Sequence, residues 1–183
     1  KNRMPKQAVV LLSGGLDSTL SLQLAFEETN VVRVLSFDYG QKCAAQELRA
    51  AKVITQQYGL EHNTILIPWL GEITSTALVN KNKDIPKLSA NELDDPLGKN
   101  LETARAVWVP NRNGVFINIA AAYAEALSAQ YVIAGFNKEE AATFPDNTPE
   151  FVKAANGALS FSTQDQVEVK SYISELTKTE IVQ

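Results

Sequence analysis

Ser13-Gly14-Gly15-Leu16-Asp17-Ser18-Thr19 is the stretch on which the reading of this chain turns. It follows Gln7-Ala8-Val9-Val10-Leu11-Leu12, a continuous apolar run of the kind that forms a buried parallel strand. After it, Leu16 to Phe26 carries helical spacing. The heptapeptide is therefore predicted to turn a strand into a helix. Its paired glycines let the backbone bend sharply and approach an anion with no Cβ in the way. Successive N–H groups and the positive end of the helix dipole would face that anion. Ser13, Ser18 and Thr19 add hydroxyl donors. Asp17 is the odd member, because a carboxylate beside phosphates is repulsive unless balanced. It points either to a Mg²⁺ role or to bracing of the loop. The stretch lacks the Lys of Gly-x-x-x-x-Gly-Lys-Ser/Thr, and it is not Gly-x-Gly-x-x-Gly. The alternative is an ordinary strand-to-helix turn capped by Asp17 or Ser18.

Outward from this loop the pattern alternates. Val31 to Phe37 reads as a second buried strand, Ala44 to Tyr58 as a helix closed by Gly59, and His62 to Ile67 as a third strand. Strand–helix alternation means an α/β chain with a parallel sheet and right-handed crossovers. Pro68 to Ala104 is polar and turn-rich, and a loop of that length inside a domain is usually functional or mobile. Beyond Trp108-Val109-Pro110-Asn111-Arg112-Asn113, a helix apolar nearly all round is expected over roughly Val115–Leu127. Gln130 to Ala134 reads as a fourth strand. A turn at Phe144-Pro145-Asp146-Asn147, a helix from Pro149 to about Leu159, a short strand at Val167–Val169 and a helical pattern over Glu175–Val182 complete the order.

Composition bounds the function. The 183 residues carry 17 basic and 21 acidic side chains, a net charge of −4, which argues against a general nucleic-acid or anionic-membrane binder. Apolar residues make up 45 %, enough for one core, so residues 1–183 read as one domain. No run approaches the roughly 20 apolar residues of a membrane span, and the N-terminus has no signal-peptide pattern. A cytoplasmic location is expected. One Cys and one His exclude a disulfide framework and a Cys-rich metal site within these residues.

Taken together, the motifs resemble those of the PP-loop ATP pyrophosphatases, and specifically the 7-cyano-7-deazaguanine synthase family. The residues that carry the resemblance are the phosphate loop, Ser36-Phe37-Asp38-Tyr39-Gly40-Gln41-Lys42 after strand two, Trp108-Val109-Pro110-Asn111-Arg112-Asn113, and Gly135-Phe136-Asn137-Lys138-Glu139-Glu140 with Phe144-Pro145-Asp146-Asn147-Thr148-Pro149-Glu150-Phe151 after strand four. Thr177-Lys178-Thr179-Glu180-Ile181 adds a late Lys-x-Glu-Ile element. The resemblance spans about Ala8 to Val182. It departs at Lys42-Cys43, where the family has Arg-His, at Asn147, where the family has Cys, and at Glu140-Ala141-Ala142-Thr143, where the family has Asp-Tyr-Ser-Gly. The family's four-Cys zinc site has no ligands here. The helical pattern at Glu175–Gln183 stops without a cap, so a zinc-bearing tail is expected beyond it.

What the resemblance implies is a doubly wound parallel sheet, adenine-nucleotide α-hydrolase-like and broadly Rossmann-like, with ligands at the strand carboxyl ends. The implied activity is ATP-dependent ligation. The carboxylate of 7-carboxy-7-deazaguanine is adenylated and ammonia gives the amide. A second ATP activates the amide oxygen, and loss of AMP gives the nitrile. ATP with Mg²⁺ is the implied cofactor pair, and a homodimer is the expected assembly. Two other readings stay open. One is an adenylating PP-loop enzyme with a different base or a protein terminus as substrate. The other is a nucleotide-binding module without catalysis.

The same resemblance distributes roles. Ser13, Gly14, Gly15, Leu16, Asp17, Ser18, Thr19 and Gly135 would hold the nucleotide. Tyr39 and Gln41 would shape its pocket, unless they form a plain strand-end turn. Arg112 would neutralise charge at the α-phosphate, against the alternative of a surface Arg at a helix start. Lys178 is either a second catalytic cation or a solvated helix residue. Asn113 would contact the base, and Glu140 and Asp146 would hydrogen-bond it or help hold Mg²⁺, with Asp146 also readable as an Asx turn. Trp108 and Phe144 would stack on the base or belong to the core. His62, placed at the far end of strand three, is expected to be a bystander. Cys43 is expected to be a small buried residue, although a helix start can lower a thiol pKa.

Overall fold

The computed structural model describes residues 4–76, 78, 79, 82, 84 and 105–182. The apolar runs become a parallel sheet. The strands are β1 (Gln7–Leu11), β2 (Asn30–Asp38), β3 (His62–Leu66), β4 (Tyr131–Ile133) and β5 (Glu168–Lys170), in the order β3-β2-β1-β4-β5. All four neighbouring pairs are parallel. The helices are α1 (Leu16–Glu28), α2 (Ala44–Tyr58), α3 (Pro68–Glu72), α4 (Arg112–Ala126), α5 (Lys138–Thr143), α6 (Pro149–Ser162) and α7 (Lys178–Val182), with a 3₁₀ turn at Pro145–Asn147.

Side-chain alternation along β1 shows why the sheet is doubly wound. Ala8, Val10 and Leu12 join Leu22 and Ala25 of α1 and Ala51 of α2 in one apolar layer. Val9 points the other way, into a layer with Ile117, Ala120, Ala121 and Ala124 of α4 and Leu159 of α6. Val9 and Val10 are completely buried, and each such side chain contributes roughly 1.5–3 kcal/mol relative to exposure. Because the chain leaves β1 toward β2 on one side and returns to β4 on the other, strand order reverses beside β1. Ligands bind at the carboxyl edge of such a switch point, and here that edge carries the phosphate loop.

Several boundaries differ from the expectation. The polar segment after β3 opens with helix α3, whose Leu70 and Gly71 are buried, with Pro68 at its first position. Helix α4 starts at Arg112 rather than near Val115. Asn111 takes a left-handed backbone (φ 51°) and acts as the N-cap, so Arg112 and Asn113 already belong to the helix. Strand β4 is shorter than expected, and α7 begins at Lys178 rather than Glu175. Residues 85–104 of the polar insertion lie outside the described residues, and so does the expectation that the insertion is functional or mobile. Among the described residues, no helix is long and apolar enough to cross a membrane.

Candidate functional site

The phosphate loop is held by its own hydroxyls. Ser18 Oγ accepts from Ser13 N at 3.1 Å and donates to Gly15 O at 3.2 Å. Thr19 Oγ1 donates to Gly15 O at 2.7 Å, and Gly15 N donates to Ser13 Oγ at 3.3 Å. The first N–H bonded back into α1 is that of Thr19, to Gly15 O. Those of Leu16, Asp17 and Ser18 therefore have no carbonyl within the helix to bond, which is the state of an anion-binding helix end. Gly14 has φ +84°, and a Cβ there would sit 2.7 Å from Glu47 O and 2.9 Å from Ala50 Cβ. The loop thus packs directly onto α2, and only glycine fits. The Leu16 side chain is exposed, so that residue can offer its backbone alone.

A cavity of ≈ 260 Å³ opens beside this loop. Ser13, Asp17 and Ser18 line it from one side, Tyr39, Gln41 and Glu47 from a second, and Arg112, Asn113, Gly135 and Glu140 from a third. Gly135 belongs here for a packing reason. A Cβ on it would lie 3.2 Å from Ser18 Cα and 3.4 Å from the Asp17 carbonyl carbon, so the end of β4 runs hard against the loop. Tyr39 is buried, and Gln41 organises the turn around it. The Gln41 amide accepts from Tyr39 N at 3.0 Å and donates to Phe37 O at 3.1 Å and Glu47 Oε2 at 2.9 Å. Arg112 Nη1 donates to Tyr39 Oη at 3.2 Å. Burial pushes the Tyr39 phenol above its ordinary value, against the opposing pull of Arg112.

A second cavity, ≈ 210 Å³, lies next to the first and shares Arg112. Its walls are Trp108, Phe144, Asp146, Leu78, Val107 and Val109. The Trp108 and Phe144 rings run near-parallel, with centroids 6.2 Å apart and planes inclined by 12°. Asp146 Oδ2 accepts from Asn113 N at 3.2 Å, and its backbone carbonyl accepts from Asn113 Nδ2 at 3.2 Å. Asp146 thus supplies a cap that Asn111 does not, since Asn111 makes no side-chain cap bond. Burial raises the Asp146 pKa, offset in part by the Asn113 N–H and by Arg112.

Glu140 closes the rim of the first cavity. Its pKa is raised, chiefly by burial and further by Asp17 and Asp146, while Lys178 and Arg112 pull it down. Lys178 lines neither cavity. Its Nζ stands 3.8 Å from Glu140 Oε1, so it acts on the site through that carboxylate.

Two residues are placed differently from the expectation. His62 does begin β3, yet its Nε2 lies 2.7 Å from Ser36 Oγ, which lines the first cavity. The Ser36 hydroxyl donates to Leu12 O, the carbonyl just before the phosphate loop. Since Ser36 has one proton to give, His62 Nε2 is the donor in their bond. His62 is thus tied to the site rather than remote from it. Cys43 is half-buried, and its thiol is pushed up to about 11 by burial and by Glu47, to which it donates at 3.0 Å. The helix start does not activate it.

Asn137 belongs to the stretch after β4 but received no role from the sequence. It is completely buried, and its Nδ2 donates to Asp17 Oδ2 at 2.8 Å. The signal was the Asn137-Lys138-Glu139-Glu140 order, a helix start with a capping residue. Glu47 also lines the cavity without having been singled out, as do Ser36 and Asn147, which the sequence marks within motifs but without a role. Among the described residues no group of three or more His, Cys, Asp or Glu side chains gathers in a way that could hold a metal.

Comparison with known proteins places the chain among relatives of one family. Residues 7–183 match the family described as "Queuosine biosynthesis protein QueC". A 7-cyano-7-deazaguanine synthase of Pelotomaculum thermopropionicum is 53 % identical over 176 residues, covering 96 % of this chain and 79 % of that protein. One of Methanosarcina mazei is 43 % identical over 178 residues, covering 96 % and 77 %. Among solved structures, the U34-tRNA thiolase NcsA of Methanococcus maripaludis superposes with a TM-score of 0.58 at 14 % identity, over 98 % of this chain and 56 % of that one. An NH₃-dependent NAD synthetase of Campylobacter jejuni gives 0.51 at 20 % identity, over 98 % and 62 %. These distant likenesses are ones of fold, the PP-loop fold.

Proposed function

The chain belongs to the QueC family of queuosine biosynthesis, and from that premise we propose that it converts 7-carboxy-7-deazaguanine to 7-cyano-7-deazaguanine with ATP and ammonia. One observation carries the division of labour. Arg112 lines both cavities, one beside the phosphate loop and one between two aromatic rings. A nucleotide in the first and a planar acid in the second would bring α-phosphate and carboxylate together at that guanidinium.

Each side of the site then has a defined task. The free N–H groups of Leu16, Asp17 and Ser18 hold the terminal phosphates. Tyr39 and Gln41 wall the nucleotide cavity. Trp108 and Phe144 take the faces of the base, and Asp146 and Glu140 accept from its N–H edge. Arg112 offers a fixed fork of donors where charge builds up as the acyl-phosphate bond forms. The apolar surround of Phe116, Phe136 and Leu11 keeps water from the activated acid. ATP, when bound, supplies the adenylyl group that makes first the carboxylate oxygen and then the amide oxygen a leaving group. Mg²⁺ needs few protein ligands when phosphates provide oxygens, and Asp17 is the loop carboxylate that would hold it.

The test is to incubate the protein with ATP, Mg²⁺, ammonium and 7-carboxy-7-deazaguanine, and to follow products by mass spectrometry. AMP together with the nitrile supports the proposal. AMP with another acid and none with this one would point to a different substrate. ATP binding with no AMP from any acid would point to a non-catalytic nucleotide module.

A further inference from the structure

Asn137 lies in the stretch after β4 without a role assigned to it from the sequence, yet it makes a short, buried polar link across the site. Its two amide groups do opposite things. Nδ2 donates to Asp17 Oδ2 at 2.8 Å, across 120 residues of chain. Oδ1 accepts from Glu140 N at 2.8 Å and so caps helix α5. The Asn137 side chain is wholly shielded from water, while its partner Asp17 is half-buried, so solvent reaches that bond only from the Asp17 side. Few residues can make this bridge. An Asp in its place has no proton to give a second carboxylate, Ser is a single short hydroxyl, and Gln places its amide one methylene further out.

We infer that Asn137 is a positioning residue for ATP use, acting through Asp17. It fixes the carboxylate of the phosphate loop and ties that loop to the helix bearing Glu140. Neighbouring contacts support the same joint. Gly135 packs against the Ser18 backbone, Lys138 N donates to Leu176 O at 3.1 Å, and Lys178 N donates to Glu139 Oε1 at 3.1 Å. Without the amide donor, the Asp17 carboxylate has no fixed direction at the end of α1, and the loop that surrounds the phosphates loses its registration with α5. The inference rests on the reading of the first cavity as the nucleotide site.

The test uses three full-length variants, Asn137→Asp, Asp17→Asn and the exchange Asp17→Asn with Asn137→Asp. For each, KM for ATP, KM for the base, kcat and the thermal midpoint are measured. Asn137→Asp keeps the cap on α5, since a carboxylate still accepts from Glu140 N, but sets two carboxylates face to face. Its KM for ATP should rise roughly tenfold or more, the scale of a lost hydrogen bond to a charged group, with a smaller change in KM for the base. The exchange restores a donor–acceptor pair with the roles reversed, and it should recover part of the KM for ATP lost in Asn137→Asp. The exchanged pair also serves if Asn137→Asp proves too unstable to assay, because it removes the repulsion. An unchanged KM for ATP in a folded Asn137→Asp, or an exchange variant worse than both single variants, would overturn the inference. If the wild type itself failed to bind ATP, the nucleotide reading would fail and take this inference with it. Normal wild-type turnover beside an indifferent Asn137→Asp would sink the inference alone.

Discussion

The two cavities that meet at Arg112 are built by different means. The loop wall of the first cavity is made of backbone. Its donors are main-chain N–H groups, its shape depends on Gly14 at φ +84°, and its hydroxyls are bonded to the loop's own backbone. The aromatic side is made of side chains on short elements. Phe144 and Asp146 stand at a three-residue 3₁₀ turn, and Trp108 sits in the approach to α4. A backbone site has the same chemistry whatever the substrate's remainder, which suits the proposed nucleotide. A side-chain site can be recast by single substitutions, which suits the part that selects the acid. Two departures from the family pattern, Glu140 and Asn147, line the first cavity on the wall it shares with Arg112 and Asn113.

Substitutions should therefore separate the halves, and the one shared residue should not. Arg112→Ala is expected to have the largest effect, a loss of roughly 10²- to 10³-fold in kcat, the usual cost of removing one preorganised donor for developing charge. Its folding should be little changed. Gly14→Ala comes next. The strained φ and the collision with Glu47 O should cost on the order of 1–3 kcal/mol of stability, read as a lower thermal midpoint, and KM should rise for ATP rather than for the base. Trp108→Ala should do the reverse. Loss of a stacking face is worth about 1–3 kcal/mol per base, seen as a higher KM for the acid with ATP affinity retained. If Trp108→Ala weakened ATP as strongly as the acid, the division into halves would be wrong.

The smallest expected effect is in pH. Burial raises the Glu140 pKa above the ordinary carboxylate value of 4.5. On lowering the pH, Glu140 therefore takes up its proton earlier than an exposed glutamate, and the acid limb of kcat/KM for the base should be displaced upward. Glu140→Gln should remove that displacement. The stability sign is fixed by the same shift. A carboxyl whose folded pKa is raised favours the folded state at low pH, and that contribution disappears as the pH rises through the folded value. The variant should lose this dependence in thermal melts at successive pH values.

The contrast between the halves also explains what could be read from the sequence. The phosphate loop was legible because all its parts are local: a strand, two glycines and a helix start within a dozen residues. The sheet was legible for the same reason, since Val9 and Val10 announce a strand buried on both faces. The partners of the site were not. Arg112 meets Tyr39 across 73 residues and Asp17 meets Asn137 across 120, and no local pattern encodes such pairings. Asp146 could be read as a turn residue, but its work of capping α4 depends on tertiary packing. Helix α3 has five residues, too few for periodicity to show. His62 was misplaced because its position on β3 says where its Cα lies, while its ring reaches along the sheet to Ser36.

The account stands on Arg112 joining the two halves, and the adenylation half-reaction tests this most directly. Labelled pyrophosphate should exchange into ATP when the wild-type protein is given ATP, Mg²⁺ and 7-carboxy-7-deazaguanine without ammonia. Arg112→Ala should still bind ATP and show little exchange. Equal acid-dependent exchange in the two proteins would contradict the account.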